Sequence, residues 1–184
     1  MAGSAVVDRK TGDVIAPDGH RARERSVEAL YRRYFGAIRE KCRRMLFDPQ
    51  EAEDVAQETF TRLWHRGPST DSAETLLPWV YATSTRLAVD RLRRRRIAGR
   101  LDSEHASAAI PSYAPDEVLA TRELLEQLAR RLSARDLAVA ILIRLDGLTQ
   151  PEAARTMATS ERTIRRVVTR LDAQLAALGH EDRS

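Results

Sequence analysis

Residues 148–170 read LTQPEAARTMATSERTIRRVVTR. Thr149, with Glu152 three residues on and Pro151 between them, forms a capping box with proline in the first helical turn. The short helix it starts carries Ala153, Ala154 and Met157. After a three-residue break, Ser160 caps a second helix. That helix sets Ile164, Val167, Val168, Leu171 and Leu175 on one side. Arg162, Arg165, Arg166 and Thr169 fall on the other, at spacings of three and four. Two helices joined by a tight turn, the second with an arginine-rich face, make helix-turn-helix geometry, in which the second helix lies in a major groove. Arginine forks onto guanine, and hydroxyls serve other base edges or phosphates. Arg162, Thr163, Arg165, Arg166 and Thr169 are therefore candidate DNA contacts, with Arg170 nearer the DNA backbone. The alternative is an ordinary solvated helix face.

Upstream of this unit the pattern stays helical. Val118, Leu119, Leu124, Leu125, Leu128 and Leu132 form one apolar stripe. Ser133 with Asp136 resembles a cap, and a buried apolar helix follows from Leu137 until Gly147 stops it. Residues 98–114 are rich in Ala and Ser without a period and read as a linker of up to roughly 60 Å.

The first half has its own helical periodicity. Val27, Leu30, Tyr31, Tyr34, Phe35, Ile38, Cys42, Met45 and Leu46 mark one helix. Asp48, Pro49 and Glu51 start a second that runs to about His65. Its exposed face carries Asp54, Gln57, Glu58 and Thr61, at spacings of three and four. Residues 66–77 read as a loop. Pro78 then opens a third helix, through about Arg96, with Val80, Tyr81, Leu87, Ala88 and Leu92 on one broad arc. Trp79, Thr83, Arg86, Asp90, Arg93 and Arg94 fall on the opposite side. A tryptophan can stack on an unpaired base, and the arginines offer salt-sensitive phosphate contact. Residues 1–22 read as a flexible arm, although Val6-Val7 and Val14-Ile15 around Thr11-Gly12-Asp13 would suit a short hairpin.

Composition narrows the function. The chain has 184 residues and a net charge of +4. Residues 1–85 hold 13 basic and 13 acidic side chains, and residues 116–184 hold 11 of each. The excess lies in residues 86–115, where 7 arginines face 3 acids. The strongest apolar run, Leu137 to Ile143, is too short to span a bilayer, so membrane insertion is not expected. No apolar signal core opens the chain, so a cytoplasmic location is expected. Cys42 is the single cysteine and suits a small core position. No phosphate-binding glycine loop and no nucleophile elbow occur. The four histidines, His20, His65, His105 and His180, lie far apart. No metal, cofactor or catalytic residue is expected.

Taken together, the motifs resemble the extracytoplasmic-function group of the sigma-70 family. Residues 51–60, EAEDVAQETF, are similar to that family's acidic helix. Residues 79–94, from Trp79-Val80 to Asp90-Arg91-Leu92-Arg93-Arg94, are similar to its −10-reading helix. Residues 147–154 with 160–164 are similar to its −35-reading unit. The resemblance implies an all-α protein that is not an enzyme: an alternative sigma factor binding core RNA polymerase and directing promoter recognition and melting. Its implied parts are a polymerase- and −10-binding domain over 23–97 and a −35-binding domain over 115–179, with a tail at 180–184. Asp54, Gln57, Glu58 and Thr61 would meet the β′ clamp coiled coil, and the second domain the β flap. Trp79, Thr83, Arg86, Asp90, Arg93 and Arg94 would hold the opened −10 strand. The loop at about 67–77 would capture a flipped base, and an anti-sigma protein would hold the factor inactive. Arg86 stands where the family usually has Asn. Ala158 stands where its turn usually has Gly, and at positive φ it would cost about 1 kcal/mol. The rival readings are a sigma-like regulator that binds polymerase or another protein without initiating, and a plain helix-turn-helix regulator. A third is a metal-dependent nuclease built on the acidic helix.

Overall fold

A computed structural model describes residues 6–7, 14–15, 17–66, 73–98 and 115–181, with side chains over 25–66, 76–95 and 119–178. Among these residues, seven helices follow a two-stranded hairpin: β1 (Val6–Val7), β2 (Val14–Ile15), α1 (Pro17–Leu46), α2 (Pro49–His65), α3 (Ala73–Ala98), α4 (Pro115–Arg131), α5 (Ala134–Arg144), α6 (Gln150–Thr156) and α7 (Glu161–Glu181). The all-α reading holds, with a four-residue antiparallel ladder added.

That ladder corrects the expectation of a flexible arm over 1–22. Val6 pairs with Ile15 and Val7 with Val14, β-branched residues facing one another across the ladder. α1 begins at Pro17, ten residues before the apolar period at Val27. α1 is 30 residues long, roughly 45 Å.

α2 starts where its sequence says. Asp48 is extended (φ −137°, ψ 114°) and its carboxylate accepts from the Glu51 N–H at 2.9 Å. α3 starts earlier than expected, at Ala73, with Pro78 inside it. Pro78 is the sixth residue of the helix, so the carbonyl of residue 74 loses its intrahelical donor, a cost taken in the second turn and not in the middle of the helix. Leu76, one turn before Val80, is buried with it and holds the added turn down. The expected loop over 66–77 shrinks accordingly, and residues 67–72 lie outside the described residues. So do 99–114, which carry nearly all of the expected linker, and 182–184 of the expected tail.

Helices α1–α3 pack on one another, and so do α5–α7. The two groups also share a core. α3 lies against α4, α5 and α6, and the buried apolar residues form one continuous cluster from Val27 to Leu178. This explains two unusual helices. α5 is buried all round from Leu137 to Leu142. α3 is buried at every position from Val80 to Val89 except the half-buried Tyr81 and the exposed Arg86. Each has neighbours on more than one side, so neither shows a clean amphipathic stripe.

Candidate nucleic-acid interface

The helix-turn-helix forms as its sequence chemistry requires. Thr149 is the extended N-cap of α6. Its N–H and hydroxyl both donate to Glu152 Oε2, at 2.8 and 2.6 Å, and the Glu152 N–H donates back to Thr149 Oγ1 at 3.4 Å. These donors, the hydroxyl foremost, hold the Glu152 carboxyl below its ordinary pKa. The turn passes through Ala158 at φ 48°, the left-handed conformation expected there. The Thr159 N–H closes the turn onto the Ala154 carbonyl at 2.9 Å. Arg135 of α5 donates to Thr159 Oγ1 at 2.8 Å, which gives the polar residue in the turn a partner.

Ser160 then accepts from the Thr163 N–H at 3.3 Å and α7 begins. Ile164, Val167 and Leu171 are buried. Arg162, Arg165, Arg166, Thr169 and Arg170 are exposed, and Thr163 is half-buried. Three of these have internal partners, Thr163 through its hydroxyl, 3.0 Å from that of Ser160. The Thr169 hydroxyl donates to the Arg165 carbonyl at 3.1 Å, and Arg170 reaches Asp136 at 3.1 Å.

The acidic face of α2 is also on the surface. Gln57 and Thr61 are exposed, and Asp54 and Glu58 half-buried. Gln50 donates to Asp54 at 3.3 Å and Gln57 to Glu53 at 3.2 Å. Glu58 pairs with Arg62 at 2.6 Å and lies 4.0 Å from Arg91 of α3.

The α3 residues divide. Trp79 is half-buried under the Arg66 guanidinium, 5.3 Å from the ring centre. Thr83, expected on the solvent side, is buried at 7% exposure, in a helix that packs against α4, α5 and α6 as well as α1 and α2. Arg86 and Asp90 are exposed at the mouth of a cleft of ≈ 430 Å³, which Val89 also lines with Ala134, Arg135 and Met157. Arg93 is half-buried and donates to the Leu132 carbonyl at 3.0 Å. Arg94 is exposed. Arg95 turns back to close α2 onto α3. It donates to the Leu46 carbonyl at 2.8 Å and pairs with Glu51 at 2.9 Å and Asp48 at 3.1 Å. The arginine run is therefore partly structural.

Sequence reasoning missed Lys41. Its ammonium is 1% exposed and lies 3.0 Å from Asp146, itself 3% exposed, in the turn after α5. Burial pulls the Lys41 pKa below its ordinary value, while Asp146 pushes it back up. One hint was visible: Lys41 is one of two lysines among 31 basic residues. Its neighbour Cys42 is fully buried, and burial pushes the thiol pKa up to about 11, which suits a core residue. Among the described residues, no three His, Cys, Asp or Glu side chains gather to hold a metal. No described helix is long and apolar enough to cross a membrane.

The chain is similar to several known proteins. Residues 30–97 match Sigma-70 region 2. The chain is 28% identical over 156 residues to the RNA polymerase sigma factor NccH of Alcaligenes xylosoxydans xylosoxydans, covering 81% of this chain and 84% of that one. It is 38% identical over 73 residues to the ECF RNA polymerase sigma factor SigW of Bacillus subtilis, covering 40% of this chain and 39% of that protein. Its fold resembles that of CnrH, solved in complex with the cytosolic domain of CnrY, with a TM-score of 0.58 at 23% identity, covering 90% of this chain and 94% of CnrH. With its acidic helix, its arginine-bearing third helix and the helix-turn-helix in that order, the chain resembles the extracytoplasmic-function sigma factors, and it carries Sigma-70 region 2 over residues 30–97.

Proposed function

We propose that this chain is an alternative sigma factor that binds core RNA polymerase and directs promoter recognition and DNA melting. The observation that carries the reading is the pairing of two surface faces of opposite character on one sigma-like fold: Asp54, Gln57, Glu58 and Thr61 on α2, the two acids half-buried, and the exposed Arg162, Arg165, Arg166 and Thr169 on α7. Residues 23–97 act as the polymerase- and −10-binding domain and residues 115–179 as the −35-binding domain. The α2 face docks on the β′ clamp coiled coil, where an acidic surface meets a basic partner, and the second domain meets the β flap. α7 enters a major groove, and Arg170 takes a phosphate once it leaves Asp136. Trp79, Arg86, Arg93 and Arg94 hold the opened −10 strand by stacking and phosphate contact. Thr83, being buried, supports α3 from within. Asp90, beside Arg86, limits what the strand presents there. Its mechanism is binding, and no catalytic residue or cofactor enters it. The complex of CnrH with CnrY supports an anti-sigma protein as a further partner, and the protein would work in the cytoplasm with the polymerase.

Run-off transcription with purified core enzyme tests this. The chain yields promoter-specific transcripts, Glu58→Arg abolishes them by loss of core binding, and Arg165→Ala/Arg166→Ala lowers promoter affinity with core binding intact. Absence of any specific transcript on genomic promoter templates would refute initiation.

A further inference from the structure

Three cations of the N-terminal helices end on the C-terminal helices. Lys41 Nζ of α1 lies 3.0 Å from Asp146 Oδ2, with both side chains at most 3% exposed. Arg44 lies 3.6 Å from the same carboxylate and donates to the Leu145 carbonyl at 3.5 Å. Arg93 of α3 donates to the Leu132 carbonyl at 3.0 Å. Leu145 caps the C-terminus of α5, and Leu132 follows that of α4. These are the negative ends of two helices, where cations are favoured.

Within its own group Lys41 has only neutral partners. It donates to Thr85 Oγ1 at 2.7 Å and to Met45 Sδ at 3.5 Å, and lies 5.6 Å from the Tyr81 ring centre. These orient the ammonium without neutralising it. Its counter-charge comes from 105 residues away (146 − 41). Asp146 is close to two cations, yet neither of its buried oxygens accepts a hydrogen bond of good geometry. Buried pairs of this kind give little net stability, because desolvation offsets the attraction. Losing one partner is far worse, since it leaves a bare buried charge. Separating the two groups would return both charges to water.

This contact also covers something. Arg86, Val89, Asp90 and Arg93 follow one another at i, i+3, i+4 and i+7, so they share one face of α3. The first three line the cleft against α5 and α6, and the fourth is bonded to Leu132. We propose that Lys41 and Asp146 form a latch that holds the C-terminal helices over this face of α3 and must release before the face can take single-stranded DNA. The second clause rests on the sigma-factor reading, and the first stands on the contacts alone. The latch sets register and a threshold, and the apolar contact of α3 with α5 supplies the attraction.

Energy transfer in the full chain tests it, with dyes at Ala37→Cys on α1 and Ala173→Cys on α7, both exposed. Cys42 is buried and stays unlabelled. The parent chain gives a high-transfer state. Asp146→Asn, on a turn and close in shape, strands Lys41 and raises the low-transfer population about tenfold or more, with helicity by circular dichroism unchanged. Lys41→Met opens the molecule to a smaller degree, because Arg44, 3.6 Å away, still faces Asp146. The double variant Lys41→Met/Asp146→Leu returns to high transfer, because no buried charge remains. Unchanged transfer in Asp146→Asn, or a double variant as open as the singles, overturns the latch. Asp146→Asn also binds a single-stranded oligonucleotide carrying the non-template −10 sequence at least about tenfold more tightly. Opening without that gain keeps the latch and overturns the assignment of this α3 face to DNA.

Discussion

Ala158 holds the turn of the helix-turn-helix at φ 48°, where a Cβ crowds the backbone. Glycine removes that crowding, so Ala158→Gly is expected to stabilise the protein by about 1 kcal/mol and raise the thermal midpoint by roughly 2–4 °C in calorimetry. Glu152 makes a prediction in pH. Its carboxyl is held below the ordinary value by the donors of Thr149. A depressed folded pKa stabilises above the unfolded pKa, and the gain disappears as pH falls through the folded one. Urea midpoints measured from neutral pH down to about pH 3 therefore fall less steeply in Glu152→Gln than in the parent. Both sites were legible because they are local: the Thr149/Glu152 spacing and the tight turn each lie within a few residues. Thr83 and Lys41 were not. Nothing within a helical turn of either says that a distant helix covers it. Periodicity put Thr83 on the solvent side, and Lys41 is a charge beside the apolar stripe of Ile38, Cys42 and Met45.

The same division runs through the elements. α2, α5, α6 and α7 were legible, because Asp48, Ser133, Thr149 and Ser160 each accept from a backbone N–H at the start of a helix. α3 was misread at its start and on one of its faces, since helices pack on more than one side of it. Its arginine run shows the consequence. Arg95 joins the last carbonyl of α1 to the first turn of α2, whereas its neighbour Arg94 is exposed. Arg95→Ala is expected to lower stability by about 1–2 kcal/mol, a value discounted for a side chain one-third exposed. Arg94→Ala leaves the urea midpoint within about 0.5 kcal/mol of the parent and weakens binding to single-stranded DNA. Equal loss of stability in both variants would mean that the run acts only as a charged block. The candidate DNA residues were legible as a set, because arginines at helical spacing mark a face. Which of them are spent inside the fold was not.

At the scale of the whole molecule, two kinds of charge respond differently to salt. The α7 arginines are exposed, and each phosphate they neutralise adds about −0.9 to the slope of log affinity against log salt. The Lys41–Asp146 pair is enclosed, and the apolar contact around it has no charge to screen. Raising salt from about 50 to 200 mM should therefore weaken duplex binding steeply in fluorescence anisotropy, while energy transfer between α1 and α7 stays nearly constant. Single variants sort the arginines further. Removing one that meets a phosphate makes the slope shallower by about one. Removing one that reads a base edge keeps the slope and relaxes discrimination between promoter sequences. If salt instead opened the molecule over the same range, closure would be held by exposed ion pairs. The buried pair would then be a passenger, and α3 would be uncovered at any ionic strength that also releases DNA.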